Sequence, residues 1–197
     1  MDLTFGMPVT SMDGEGVGTL KLVIVDLRTN IVSHLVVASD DRAVDNRAIP
    51  VWAVERAAED EIFLEIQADE LGQFPRYRAG RKTAVAATEP ATAVHHEPGE
   101  FPELFPEDGT LPATPVALPN GMRVNCHEAP AGNLVGLITD DYTGELITLI
   151  VALQGEHGKH VAVPMAWSRS LSQGRIRLEC SHQDLFSLPE VTPQAEE

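Results

Sequence analysis

Apolar and polar residues alternate from Thr19 to Asp26, with Leu20, Leu22 and Ile24 on one side and Lys21, Val23 and Val25 on the other. A period of two is the mark of a β-strand. Ahead of it, Pro8, Val9, Thr10 and Ser11 predict a short first strand closed by the turn pair Asp13-Gly14, with Gly16 and Gly18 leaving the backbone free to bend. Arg28-Thr29-Asn30 then turns the chain. Ile31 to Ala38 is apolar on both faces, as expected of a strand covered on both sides. A polar loop from Ser39 to Arg47 leads to Ile49-Pro50-Val51, where proline removes a ladder donor and so begins or edges a strand. Glu61 to Gln67 predicts a last strand with Ile62, Leu64 and Ile66 inward, and Asp69 to Pro75 a short helical turn stopped by proline.

The same plan returns downstream. Gly6 to Ser39 is matched by Asn120 to Leu153, and a constant spacing of 114 residues carries Gly18 to Gly132, Thr29 to Thr143, Pro50 to Pro164, Leu64 to Leu178 and Pro75 to Pro189. Asn30 falls on Gly144; these two residue types tolerate positive φ best, so both copies predict a tight hairpin at one place. Self-similarity at a fixed period implies two units of one architecture. The expected division is a first domain over residues 1–77, a linker of limited order over 78–116, a second domain over 117–191 and an acidic tail over 192–197. About six short strands per unit, joined by turns and without a long helical period, predict a mostly β fold of two tandem antiparallel barrels or rolls.

Units of this size bury only a modest core, so the barrels are expected to pack on each other or in a homodimer. Phe63, Trp52 and Trp167 do not fit comfortably inside so small a core. Aromatic side chains at a surface are what an interface uses, either between the two barrels, which is the preferred reading, or toward a partner. Within the linker, Gly99 to Pro106 sets Phe101, Leu104 and Phe105 among acids. These three either fold back over exposed barrel surface or dock a partner as a segment that orders on binding.

Charge narrows the partners. Thirty acidic residues against 14 basic ones give a net charge of −16, and each of the three segments is net negative. Such a field repels a phosphate backbone and an anionic lipid surface, so direct nucleic-acid binding and membrane insertion are not expected, and any peripheral membrane association runs through a partner. No apolar run spans a bilayer and the opening residues carry no signal pattern, which makes the cytoplasm the expected location.

Candidate chemistry is sparse. Gly14-x-Gly16-x-Gly18 lacks the dinucleotide spacing and leads into a strand-like run, so it reads as a turn. No Gly-x-Ser-x-Gly is present. His95-His96 and His157-x-x-His160 read as surface histidines. Cys126-His127 with Cys180-x-His182 has the donor inventory of a zinc site, but neighbours on an extended strand point to opposite faces, and Cys180 continues the inward phase of Ile176 and Leu178 as a small apolar residue. Glu65 and Glu179 are equivalent and fall on the outward phase, as solvated charge. No catalytic, cofactor-binding or metal-ligating residue is assigned, and no cofactor is implied.

Gly6-Met7-Pro8-Val9, Asp13-Gly14-Glu15-Gly16-Val17-Gly18, the strand ending at Asp26, the hairpin, Leu35-Val36-Val37 and the late Ile49-Pro50 together resemble the PRC-barrel family. The resemblance covers roughly Leu3 to Tyr77, and Leu118 to Pro189 more loosely, since His127-Glu128 replaces the Asp-Gly turn and Pro130 enters the loop. It is similar in fold to the cytoplasmic domain of the photosynthetic reaction-centre H subunit and to the C-terminal domain of a ribosome-maturation factor. What it implies is a non-catalytic module that holds a protein partner: a scaffold or adaptor, as in a peripheral subunit of a membrane-associated or photosynthetic assembly. A ribonucleoprotein assembly factor acting through a protein component is the alternative, and a small-ligand or metal-dependent enzyme is a third class.

Overall fold

Each half is built on one long, apolar strand, and each long strand is flanked partly by its own half and partly by the other. The computed structural model describes residues 1–39, 46–58, 60–77, 115–127, 129–155, 159–172 and 174–191. In chain order the strands of the first half are β1 (Asp2–Thr4), β2 (Pro8–Thr10), β3 (Gly16–Asp26), β4 (Ile31–Ala38), β5 (Asn46–Pro50), β6 (Val54–Ala58) and β7 (Glu61–Leu64), with 3-10 turns at Val51–Ala53 and Ala68–Gln73. The second half contributes β8 (Pro115–Pro119), β9 (Arg123–Cys126), β10 (Ala129–Thr139), β11 (Leu146–Leu153), β12 (His160–Pro164), β13 (Ser168–Ser172) and β14 (Arg175–Leu178), a 3-10 turn at Met165–Trp167 and the short helix α1 (His182–Phe186).

Two seven-stranded sheets result. One runs β5-β4-β3-β2-β7-β6 with β8 added on β3; the other runs β12-β11-β10-β9-β14-β13 with β1 added on β10. The end strands of each order do not pair with each other, so the sheets are open rolls instead of closed barrels. They are also not wholly antiparallel: β2 and β7, and likewise β9 and β14, run parallel. Pro50 and Pro164 each end an edge strand and lead into a 3-10 turn, the margin of a sheet where a residue without a backbone donor is tolerated.

The added strands are reciprocal. β2 occupies the edge of β3 only as far as Thr19, and β8 takes over from Leu22 to Asp26, pairing Leu118 with Val23. On the other side β9 covers β10 as far as Asn133, and β1 takes over, pairing Leu3 with Leu137. The opening strand of each copy thus completes the sheet of its twin, across the boundary expected between domains. Pro115 and Val116, expected to close the linker, already belong to β8. Gly6-Met7 and Gly121-Met122 stand 115 residues apart, one more than the downstream repeat, because the second copy has one residue fewer in the turn between its first two paired strands. At the centre, the Val32 amide donates to the Gly144 carbonyl at 2.9 Å and the Leu146 amide to the Asn30 carbonyl at 2.8 Å. Each bond is the other's image under the 114-residue shift, so an approximate two-fold axis passes between Ile31 and Glu145, which pair across it.

One hydrophobic core serves both halves, with Leu3, Val23, Leu35 and Ile49 buried together with Leu118, Leu134, Leu137 and Leu149. Sharing it removes more apolar surface from water than two separate small cores would. A second cluster of Leu22, Ile24, Val36, Ala48 and Tyr77 lies apart from it, which explains why β3 and β4 are apolar on both faces. The hairpin expected at Asn30 and Gly144 is present, with φ of 57° and 69°. Gly18 and Gly132 answer a different need: a Cβ there would sit 2.0 Å from the Ala38 carbonyl oxygen and 2.1 Å from that of Ala152, so both copies need glycine where two strands close up. Among the described residues no helix is long and apolar enough to cross a membrane.

Candidate functional site

Among the described residues, the two most exposed aromatic side chains flank one cleft on the seam between the halves. From the first half, the turn after β5 and the start of β6 bring Trp52, Glu55 and Arg56; from the second, the β10–β11 hairpin brings Asp140, Asp141 and Tyr142, enclosing about 540 Å³. Trp52 is 68% and Tyr142 98% exposed. Pro50 and the tight 3-10 turn force Trp52 outward while Ala53, its neighbour, is fully buried. The Trp52 ring leans on Phe74 at a centroid distance of 6.3 Å.

Tyr142 is held at the hairpin tip by its own turn. The Asp140 carboxylate accepts from the Thr143 amide at 2.8 Å, the Tyr142 amide at 2.9 Å and the Thr143 hydroxyl at 3.0 Å. Those bonds, the Thr143 amide first, hold the carboxyl below the ordinary aspartate range, so the tip stays anionic. Asp141 accepts from the Met1 amine, which also donates to the Thr139 carbonyl at 2.8 Å. The cleft therefore offers two bare aromatic faces with a mostly acidic rim.

The other sequence candidates are scattered. Phe63 is half-buried beneath the Arg56 guanidinium, 4.3 Å from its ring centroid. Trp167 is half-buried and packed against the core, so it is a structural residue. Trp52 is not enclosed between the barrels, the preferred expectation for it: it stands 68% exposed at the seam, its ring against Phe74 of its own half. Phe101, Leu104, Phe105, His95, His96 and His157 lie outside the described residues. Glu65 and Glu179 are exposed on the outer phase, as expected. Tyr142 was legible only as a turn residue; the signal for it is a large aromatic at a hairpin tip whose counterpart, Arg28, is charged.

Cys126 and Cys180 are buried and free of any disulfide, their thiols hydrogen-bonded to each other with the sulfurs 2.8 Å apart. Burial, ahead of the neighbouring thiol, pushes Cys126 up to about 12, which keeps it protonated and unreactive at neutral pH. His127 is exposed, and His182 Nε2 lies 2.8 Å from the Pro130 carbonyl. Among the described residues no group of three or more His, Cys, Asp or Glu side chains is arranged to hold a metal ion.

No protein-family model matches the chain, and no curated protein sequence matches it.

Proposed function

We propose that this protein is a non-catalytic scaffold or adaptor that grips a protein partner in the Trp52–Tyr142 cleft. One observation carries the reading: two large aromatic side chains stand bare on either side of a cleft to which both copies contribute. Exposed Trp and Tyr are the side chains that anchor interfaces, where truncation of a single anchor costs about 2 kcal/mol or more of binding. The resemblance to the PRC-barrel family points to the same class, with the partner in a larger, membrane-associated assembly.

The test is affinity capture with the intact chain and with a Trp52→Ala/Tyr142→Ala variant, followed by quantitative mass spectrometry. A discrete protein recovered by the first and depleted at least tenfold by the second supports the proposal. Ribosomal proteins in that set, with co-sedimentation on ribosomal particles, would assign the partner to a ribonucleoprotein. A purified chain that captures no protein but binds or turns over a metabolite overturns it.

A further inference from the structure

Two cysteines occur in the chain, and the fold brings them together from 54 positions apart. Cys126 ends β9, and its Cα partner on the parallel neighbour is Leu178, the last residue of β14. Two residues further on, Cys180 sits at the bend before the Ser181 cap of α1, and both side chains belong to the shared core. Their sulfurs are 2.8 Å apart. A disulfide bond is about 2.05 Å long, so closing one here asks the sulfurs to approach by roughly 0.8 Å.

The duplication supplies an internal control. Shifted by the same 115 and 114 residues as their neighbours, Cys126 falls on Ser11 and Cys180 on Ile66, and both of these are buried as the cysteines are. The Ser11 hydroxyl donates to the Glu15 carbonyl at 2.9 Å. A small hydroxyl residue and an aliphatic one therefore fill the two places, and the backbone plan does not call for sulfur at either. Core filling accounts for each cysteine singly but not for both being in contact; a cross-link accounts for the pair.

We infer that Cys126 and Cys180 are a disulfide site, oxidised by exchange with a donor disulfide as the chain folds, and that the bond ties the start of α1 to the end of β9. In the exchange one cysteine thiolate attacks a sulfur of the donor and displaces one donor thiolate; the second cysteine thiolate then attacks the protein sulfur of the mixed disulfide and displaces the other. Both cysteines lose their protons, the two protein sulfurs give up two electrons, and the donor is reduced to two thiols. Burial, which keeps the Cys126 thiol of the finished fold protonated, makes exchange there slow, so the bond is set before the site closes. The same burial then shields it from reductants. A compartment that supplies disulfides yields the cross-link, and one rich in reduced thiols leaves the hydrogen-bonded dithiol. The closed loop takes in β10 to β14, so the bond restrains the unfolded chain over most of the second half. Helix α1, five residues long with Leu185 as its buried side chain, gains a covalent anchor.

The full-length protein, unfolded in urea and refolded at a series of reduced-to-oxidised glutathione ratios, then alkylated and weighed, tests this against a parallel series kept in urea. Refolded chains are expected to lack two hydrogens and to join the peptides bearing Cys126 and Cys180, at ratios where the unfolded chain still carries two alkylated thiols. The equilibrium constant for closing the bond is expected to be about a hundredfold or more larger in the folded protein than in urea. This comparison is read on the unaltered chain and needs no folded variant. The cross-linked form is expected to melt several degrees above the reduced one, and Cys126→Ser is expected to remove that difference. Equilibrium constants that are equal or smaller in the folded protein, a refolded product held mainly as glutathione adducts or intermolecular dimers, or a cross-linked form that melts below the reduced one would each overturn the inference.

Discussion

The 3-10 turn after the edge strand reads Val51-Trp52-Ala53 in the first copy and Met165-Ala166-Trp167 in the second. One position separates the two tryptophans, and it reverses their role. At the third position the side chain faces inward, where Ala53 is fully buried and Trp167 packs on the core; at the second it faces out, where Trp52 is exposed. The hairpin tips diverge in the same way, with Tyr142 in one copy and Arg28 in the other. The strand plan, the close-packed glycines and the axis are kept while the solvent faces differ in aromatic content. Packing fixes the shared residues, and the surfaces are free to specialise.

The strongest way to break the comparison is at the close-packed glycines. Gly18→Ala and Gly132→Ala each drive a Cβ into a carbonyl oxygen, and both are expected to cost about 3 kcal/mol or more in denaturant unfolding. Gly18→Ala is expected to be the worse, because its φ of 137° adds backbone strain. Next come the exchanged strands: Leu3 and Leu118 are fully buried in equivalent places, so Leu3→Ala and Leu118→Ala should each cost about 2–5 kcal/mol and differ little from each other. A large inequality would mean that one strand is dispensable and the reciprocity superficial.

The tryptophans give a smaller, unequal pair. Trp167→Ala is expected to lower stability by about 2 kcal/mol and Trp52→Ala by no more than about 0.5 kcal/mol in the same melt. An effect visible only against pH concerns His34, buried with its Nδ1 unpartnered, whose place in the second copy is taken by Thr148. Burial holds the imidazole below its ordinary value, so the unfolded chain takes up the proton first. Its contribution is intact above about pH 6.5 and declines as the pH falls below that, by at most ~1.4 kcal/mol per pH unit. His34→Thr should flatten that part of the stability–pH curve.

Much of the fold was legible because the relevant signals are local. Alternation from Thr19 to Asp26 marked the central strand, and Asn30 with Gly144 marked the hairpin, since positive φ is a property of single residues. β6 escaped notice because Val54-Glu55-Arg56-Ala57-Ala58 shows little apolar alternation: it is an edge strand with exposed residues. β1 and β8 were missed for another reason. Leu3 and Leu118 are paired with the opposite half, and no local period records which neighbour a short strand will choose. The candidate cleft was half legible: Trp52 was conspicuous as an aromatic with no place in the core, whereas Tyr142 gained meaning only when the fold carried its hairpin to the same seam.

Site-specific photo-crosslinking from the two hairpin tips in cells tests the scaffold reading most directly, with the crosslinking amino acid placed at position 142 or at its image, position 28. The account predicts discrete protein adducts from position 142 that disappear when Trp52→Ala is added, and few or none from position 28. Equal adducts from both tips, or none from either, would contradict it.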